Sequence, residues 1–364
     1  MPGSSKKKKP ETKSLSTKKD IENEALKKLE DFKEHQPVQM SLFQYIDLKP
    51  EQQERFSNTI ELYDFMPKYH WGKVQRIGGE FLRVLEREFE CRGTKYKIEV
   101  APAVIKDRDG VNRYYYPSKR EELVEDALRR LATTEKGVFL DDRAAVTFTL
   151  YQLQKELKRN GHTYSIKELK DSLLICNRTN ITVTTEDGTA ILSSSMFETL
   201  GLQTREDWKE TGQKTKAFVR FNSLVSESIK RGAFRQLDYE KAMRYSSVIA
   251  RQLHKRMSHH FVQASLTTRY EIKLSTIIRD FGLTAYTWIS QNLRDVENAL
   301  NEMKEKAIIL NYTVEKFLDP AHRNKLVDAK IIITPHPHFS GRVIDANKRQ
   351  GKVELVLSQN GSNM

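Results

Sequence analysis

Apolar residues take up helical spacing from position 118 onward. Leu123, Val124, Ala127, Leu128 and Leu131 repeat on one face, which predicts an amphipathic helix. Ser118 and Glu121 stand at the spacing of a capping box at its start. A short strand is expected over Val138 to Leu140. A second helix is expected through Leu150, Leu153 and Leu157, stopping at Gly161, where a left-handed residue closes helices. Ser165 and Glu168 form another capping box, before a helix carrying Ile166, Leu169 and Leu173 on one side. Ile181 to Thr185 then alternate, and Glu186-Asp187-Gly188-Thr189 reads as a hairpin turn. A strand at Ala217 to Phe221 is expected to close the unit.

The same order recurs downstream. A helix runs through Ile249, Leu253 and Met257, and Tyr270 to Ile272 reads as a strand. Ser275 is expected to cap a short helix, Ile277 to Phe281, ended by Gly282. A longer helix carries Leu293, Val296, Leu300 and Met303, and strands at Ile308 to Val314 and Lys330 to Thr334 complete a second hairpin. The expected fold class is therefore α+β, with two tandem winged-helix domains over residues 118–232 and 233–350, a C-terminal tail at 351–364 and a disordered basic tail at 1–36.

Between the tail and the first unit lies an N-terminal extension, residues 37–117, divided by Pro37, Pro50, Pro67 and Pro102. In it Tyr96, Ile98 and Val100 alternate like a strand. Phe81, Val84, Leu85 and Phe89 suit either a short helix or a strand edge. The tail holds the basic run Lys6 to Lys9. It also holds a charged stretch, Asp20 to Lys33, with a weak apolar stripe at Ile21, Ala25, Leu26 and Leu29.

Composition adds a partner class to this outline. The 364 residues include 62 Lys and Arg against 49 Asp and Glu, a formal charge of +13. Such an excess favours a polyanion, and nucleic acid ahead of a membrane surface. The two cysteines, Cys91 and Cys176, lie far apart at no metal-binding spacing. No apolar segment follows the basic start, and the longest apolar runs are too short to span a bilayer. A cytoplasmic protein without cofactor, metal or membrane partner is expected. Gly78-Gly79 lacks the following Lys-Ser/Thr of a phosphate loop.

A helix-turn-helix places its second helix in the major groove. Burying Ile166 and Leu169 leaves Lys167 and Lys170 outward in the first unit, and Arg178 opens its hairpin. In the second unit Arg279 sits on the bracing helix. The start of the long helix offers Thr287, Ser290, Gln291, Asn292 and Arg294. Gln, Asn and Arg read base edges through paired hydrogen bonds, so this second set is the expected sequence reader. A single basic helix is more simply a solvated face; two such patterns with hairpins in a basic chain favour double-stranded DNA.

Gln39-Met40-Ser41-Leu42-Phe43 resembles the bacterial sliding-clamp binding pentapeptide, with Gln39 in a polar subsite and Leu42 and Phe43 as apolar anchors. A plain structural role for Leu42 and Phe43, fixing the tail to the core, is an equal alternative. From about Tyr115 to Arg349 the chain resembles plasmid replication initiators with tandem winged-helix domains, the Rep and TrfA type. The segments that carry this are Phe148 to Leu157, Leu274 to Gly282 with Tyr286 to Met303, and the basic ending Phe339 to Arg349. The resemblance implies a protein that binds repeats at a plasmid-type origin, helps open an AT-rich region and recruits host helicase and sliding clamp. It implies no chemistry of the protein's own. It also implies a homodimer as repressor and a monomer as initiator. A winged-helix transcription regulator is the alternative. A lesser one is a metal-dependent nicking initiator using His336 and His338 with a tyrosine among Tyr114 to Tyr116. Pro337 is a poor residue for the strand that such a site needs.

Overall fold

The computed structural model describes residues 55–72, 82–106, 110–133, 137–140, 143–202, 216–265 and 267–361. Every described residue lies in one compact unit, Val38–Met364. The expected tail helix at Asp20 to Lys33 and the pentapeptide at Gln39 to Phe43 fall outside the described residues.

The elements follow in this order. First come strand β1 (Phe56–Thr59), helix α1 (Glu61–Phe65) and strands β2 (Leu85–Cys91), β3 (Thr94–Ala101), β4 (Ala103–Lys106) and β5 (Asn112–Tyr115). Helix α2 (Lys119–Ala132), strands β6 (Gly137–Leu140) and β7 (Arg143–Thr149), and helices α3 (Leu150–Arg159) and α4 (Ile166–Arg178) continue the chain. Strands β8 (Asn180–Thr185), β9 (Ile191–Ser195), β10 (Phe197–Leu202) and β11 (Lys216–Phe221) follow, then α5 (Ser223–Lys230), β12 (Arg235–Asp238) and α6 (Tyr239–Met243). The second half holds α7 (Val248–His260), β13 (Tyr270–Lys273), α8 (Leu274–Asp280), α9 (Ile289–Glu305), β14 (Ile309–Asp319), β15 (Lys325–Pro335) and α10 (Pro337–Gly361).

Local chemistry accounts for the helix ends. Glu121 accepts the Ser118 N–H at 2.9 Å, and Glu168 accepts the Ser165 N–H at 2.8 Å, so both expected boxes form. A third, Thr149 with Gln152, opens α3. Gly161 takes φ +87° and lets the His162 N–H turn back to the Leu157 carbonyl at 3.0 Å. Ser275 does not cap α8. It lies inside the helix and binds Asp328 of β15 through both its N–H and its hydroxyl, while Lys273 occupies the cap position.

Strand pairing departs from the local pattern in one informative place. Strand β11 does not close the β8–β9 hairpin; it lies in a separate sheet of order β10-β11-β7-β6. The hairpin is extended instead by strands from upstream, in a sheet of order β2-β3-β8-β9. Tyr96, Ile98 and Val100 face Thr185, Val183 and Ile181 across this join. Ile98 and Val100 are wholly buried, and that burial is what favours the register. In the second half the sheet order is β13-β15-β14, with a helix–strand–helix–helix–hairpin succession along the chain.

Two hydrophobic clusters form, one drawn from Ile60 to Met243 and the other from Tyr245 to Val343. Helix α2 joins them. Leu123, Val124, Ala127 and Leu128 pack into the first cluster, yet the charged residues between them are buried as well. Glu122 accepts from Arg251 at 2.9 Å and from Gln252 at 2.7 Å, both on α7. Lys255 of α7 reaches Asp126 at 2.7 Å. Arg129 grips Asp64 with two nitrogens, at 2.8 and 2.6 Å, and Asp126 at 3.0 Å. Glu125 takes the Tyr69 hydroxyl and stands 3.8 Å from Lys68. Asp64, Glu122, Glu125 and Asp126 thus face Lys68, Arg129, Arg251 and Lys255, none more than 5 % exposed.

Each ion in such a group loses several kcal/mol, to order of magnitude, on leaving water. Mutual pairing offsets this only when every charge has partners. Burial pushes the Asp64 carboxyl up, but Arg129 more than reverses it and holds the group well below the carboxylate range. Burial likewise favours the neutral form of Lys255, and Asp126 and Glu122 overcome it to raise the ammonium.

Two histidines on α7 behave differently. Burial, with help from Lys241 and Lys255, lowers His254 to about 3. Burial lowers His259 to about 4 although Glu61 and Asp64 oppose it. Both are neutral in the fold but protonate near about pH 6.5 once exposed. The unfolded chain therefore binds more protons, and stability drops as pH falls from about 6.5 through about 4 for His259 and on to about 3 for His254. Urea midpoints followed by circular dichroism are expected to decline over that window, less steeply in His254→Phe. A flat profile in the unmodified chain contradicts this account.

Candidate nucleic-acid interface

Helix α9 is fixed by its apolar stripe. Leu293, Val296, Ala299, Leu300 and Met303 are buried in the second cluster. With that side committed, Thr287, Ser290, Gln291 and Arg294 all come out exposed. Ser290, Gln291 and Arg294, spaced by three and four, share the outward face of the first turns of α9, and Thr287 lies just before the N-cap Trp288.

Asn292 departs from its expected role. It is 2 % exposed and its amide is used internally. The carbonyl accepts the Tyr286 N–H at 3.0 Å, and the amide donates to the Thr284 carbonyl at 2.9 Å. It holds the α8–α9 turn in shape and does not face outward. Gly282 opens that turn at φ +61°, and a Cβ there would come within 2.8 Å of the Arg87 guanidinium. Arg87 in turn donates to the carbonyls of Pro67 and Tyr69 at 2.5 and 2.6 Å. The turn before α9 is thereby packed against the first half.

Arg279 is also drawn inward. Its Nε donates to Asp280 at 2.7 Å and a terminal nitrogen reaches Glu90 of β2 at 3.4 Å. Asp280 further pairs with Arg256 at 3.0 Å, and the Trp71 indole donates to the Phe281 carbonyl at 2.6 Å. Arg279, expected on the bracing helix of the DNA-binding unit, thus bridges the two halves.

In the first half Lys167 is exposed on α4, away from the buried Leu169 and Leu173, and Lys170 is half-buried at the border of that face. Arg178 is exposed, but its guanidinium donates to the Val104 carbonyl of β4 at 2.8 Å. The hairpin after α4 turns through Gly188 at φ +72°, with Asp187 accepting from Thr189.

The β14–β15 hairpin beside α9 adds residues that the sequence reading did not single out. Lys316, Arg323 and Lys325 are exposed near or within its tip. Asp319 fixes the tip by accepting from the Ala321 N–H at 2.9 Å and pairing with His322 at 2.7 Å. Arg323 and Asn324 follow in the left-handed region, at φ 54° and 52°. Lys325 Nζ lies 5.5 Å from the centre of the Trp288 ring, and Trp288 is 65 % exposed. The signal that was present in the sequence is an aromatic directly before a helix and basic residues around a turn.

His336 and His338 stand at a strand-to-helix junction, with rings stacked at 5.0 Å and His336 Nδ1 accepting the His338 N–H at 3.2 Å. They do not share a strand. Gln39, Leu42 and Phe43 lie outside the described residues. Among the described residues no helix is long and apolar enough to cross a membrane.

No family model and no curated protein matches the chain. Among solved structures it is similar to a crystal structure of selenomethionine derivatives of domains 2 and 3 of RctB. That match has 10% identity and a TM-score of 0.46, over 76% of this chain and 96% of that one. A second structure of RctB domains 2–3 gives 12% identity and a TM-score of 0.43, over 71% and 93%. The Pi initiator protein in complex with iteron DNA gives 12% identity and a TM-score of 0.42, over 60% and 90%.

The exposed α9 face makes one residue testable at once. Arg294→Ala is expected to weaken binding to a selected duplex by about 1–3 kcal/mol, and binding to random duplex far less. Equal loss on both, in gel-shift titrations, removes Arg294 from base readout.

Proposed function

We propose that this protein is a sequence-specific double-stranded DNA-binding replication initiator built on two tandem winged-helix units, acting at repeats in a plasmid-type origin. The observation that carries the reading is the joint exposure of Thr287, Ser290, Gln291 and Arg294 at the start of α9, beside a hairpin tipped with Arg323 and Lys325. In a winged helix, such a helix enters the major groove and the hairpin lies over neighbouring backbone. Gln291 and Arg294 can present paired donors or acceptors to base edges; Ser290 and Thr287 suit phosphates or single base contacts. Lys167 and Lys170 on α4 serve the first unit in backbone contact.

On this reading the protein works by binding and supplies no catalysis. Replication, ahead of transcription control, is favoured by the family resemblance of Tyr115 to Arg349 and by the pentapeptide at Gln39 to Phe43. Recruitment of helicase and clamp, and a homodimer formed through the first unit, belong to the same proposal.

Footprinting on the DNA flanking the gene is expected to show protection of short direct repeats beside an AT-rich stretch, and the gene with those repeats is expected to sustain a plasmid. Protection without maintenance supports a transcription regulator instead. Purified sliding clamp is expected to bind the chain and to lose most of that binding with Phe43→Ala; equal binding by both discards the pentapeptide.

A further inference from the structure

Trp288 has no evident structural duty. It occupies the N-cap position of α9, where Ser, Thr, Asp or Asn is favoured, and makes no capping hydrogen bond. Its ring lies outside the buried clusters and is 65 % exposed. The hairpin stands beside it: Lys325, opposite Asp319 in the β14–β15 register, lies 5.5 Å over the ring. An exposed indole beside a cation, joining the start of one element to the tip of another, is a built surface.

We propose, on the DNA-binding reading above, that the gap between the start of α9 and the hairpin tip takes one strand of the duplex backbone. The Trp288 indole packs on a deoxyribose and Lys325 meets the adjacent phosphate. With α9 in the major groove and the hairpin across the neighbouring minor groove, the strand separating the two grooves passes between them. Exposed Lys316, Arg323 and Lys325 give that path the matching charge. The ring is unsuited to two other uses. Its N–H is a lone donor and cannot make the paired hydrogen bonds that distinguish base pairs. Lys325 stands on one side of the ring, where a base pair would have to displace it for the ring to insert as a wedge. The remaining face and edge fit a sugar. The pair then sets the register of α9 in the groove and carries no sequence preference of its own.

The test uses the full chain and two short duplexes, one carrying a repeat protected in the footprinting above and one of unrelated mixed sequence, titrated at several salt concentrations. Trp288→Ala is expected to weaken both duplexes alike, by roughly tenfold, with Trp288→Phe recovering most of the loss. Lys325→Ala is expected to reduce the slope of log K against log salt by about one. Loss in Trp288→Ala confined to one of the two sequences overturns the assignment, as does unchanged affinity and slope in both variants. If the unmodified chain binds neither duplex, the DNA-binding reading fails with it; binding that both variants retain in full overturns this inference alone.

Discussion

The buried charges between α2 and α7 constrain everything else in the molecule. An amphipathic helix ordinarily turns its polar side to water, but α2 has no such side. Its Glu122, Glu125, Asp126 and Arg129 are enclosed by α7, by Asp64 of α1 and by the segment that follows α1. A hydrophobic contact tolerates sliding by an ångström or so. A bidentate Arg129–Asp64 pair beside Lys255 and Asp126 does not, because each displaced charge is left unpaired away from water. This network relates the two hydrophobic clusters in a defined way, at a desolvation cost that greasy packing would not incur.

Further links run around the network. Trp71 reaches the Phe281 carbonyl, Arg279 reaches Glu90, and Arg342 of α10 pairs with Asp238. Two of these end on the segment of α8 just before the turn into α9. The turn itself rests on Arg87 through Gly282 and on the internal bonds of Asn292. The start of α9, which carries the candidate DNA face, is thus positioned by the first half as well as by its own core. A binding face so supported is preorganised: little conformational freedom remains to be lost on contact with a rigid duplex.

Within the candidate interface the side chains divide by what they already touch. Thr287, Ser290, Gln291 and Arg294 are exposed, and so is Trp288, whose ring meets Lys325 of the hairpin. Asn292 and Arg279, equally suited to DNA by residue type, are engaged inside the protein. Residue type determines what a side chain can bind, and packing determines whether it is available.

The helices were legible from the chain because their causes are local. Capping boxes at Ser118 and Ser165, the stop at Gly161 and the stripe Leu293, Val296, Leu300 and Met303 all act over a turn or two of backbone. So did the alternation of Tyr96, Ile98 and Val100, which identified a strand but not its neighbour. Outward Ser290, Gln291 and Arg294 on α9 followed from the stripe for the same reason, whereas Asn292 did not. What only the tertiary structure decided has partners far away in sequence. Strand β3 joins β8, β11 leaves the hairpin for another sheet, and Ser275 turns to Asp328 instead of capping α8. Arg279 meets a carboxylate 189 positions distant, and the polar side of α2 is closed by residues more than 120 positions downstream. Periodicity and caps record the energies of neighbours along the chain. Burial of a charge, and the partner that makes it tolerable, depend on which surfaces meet after the chain has folded.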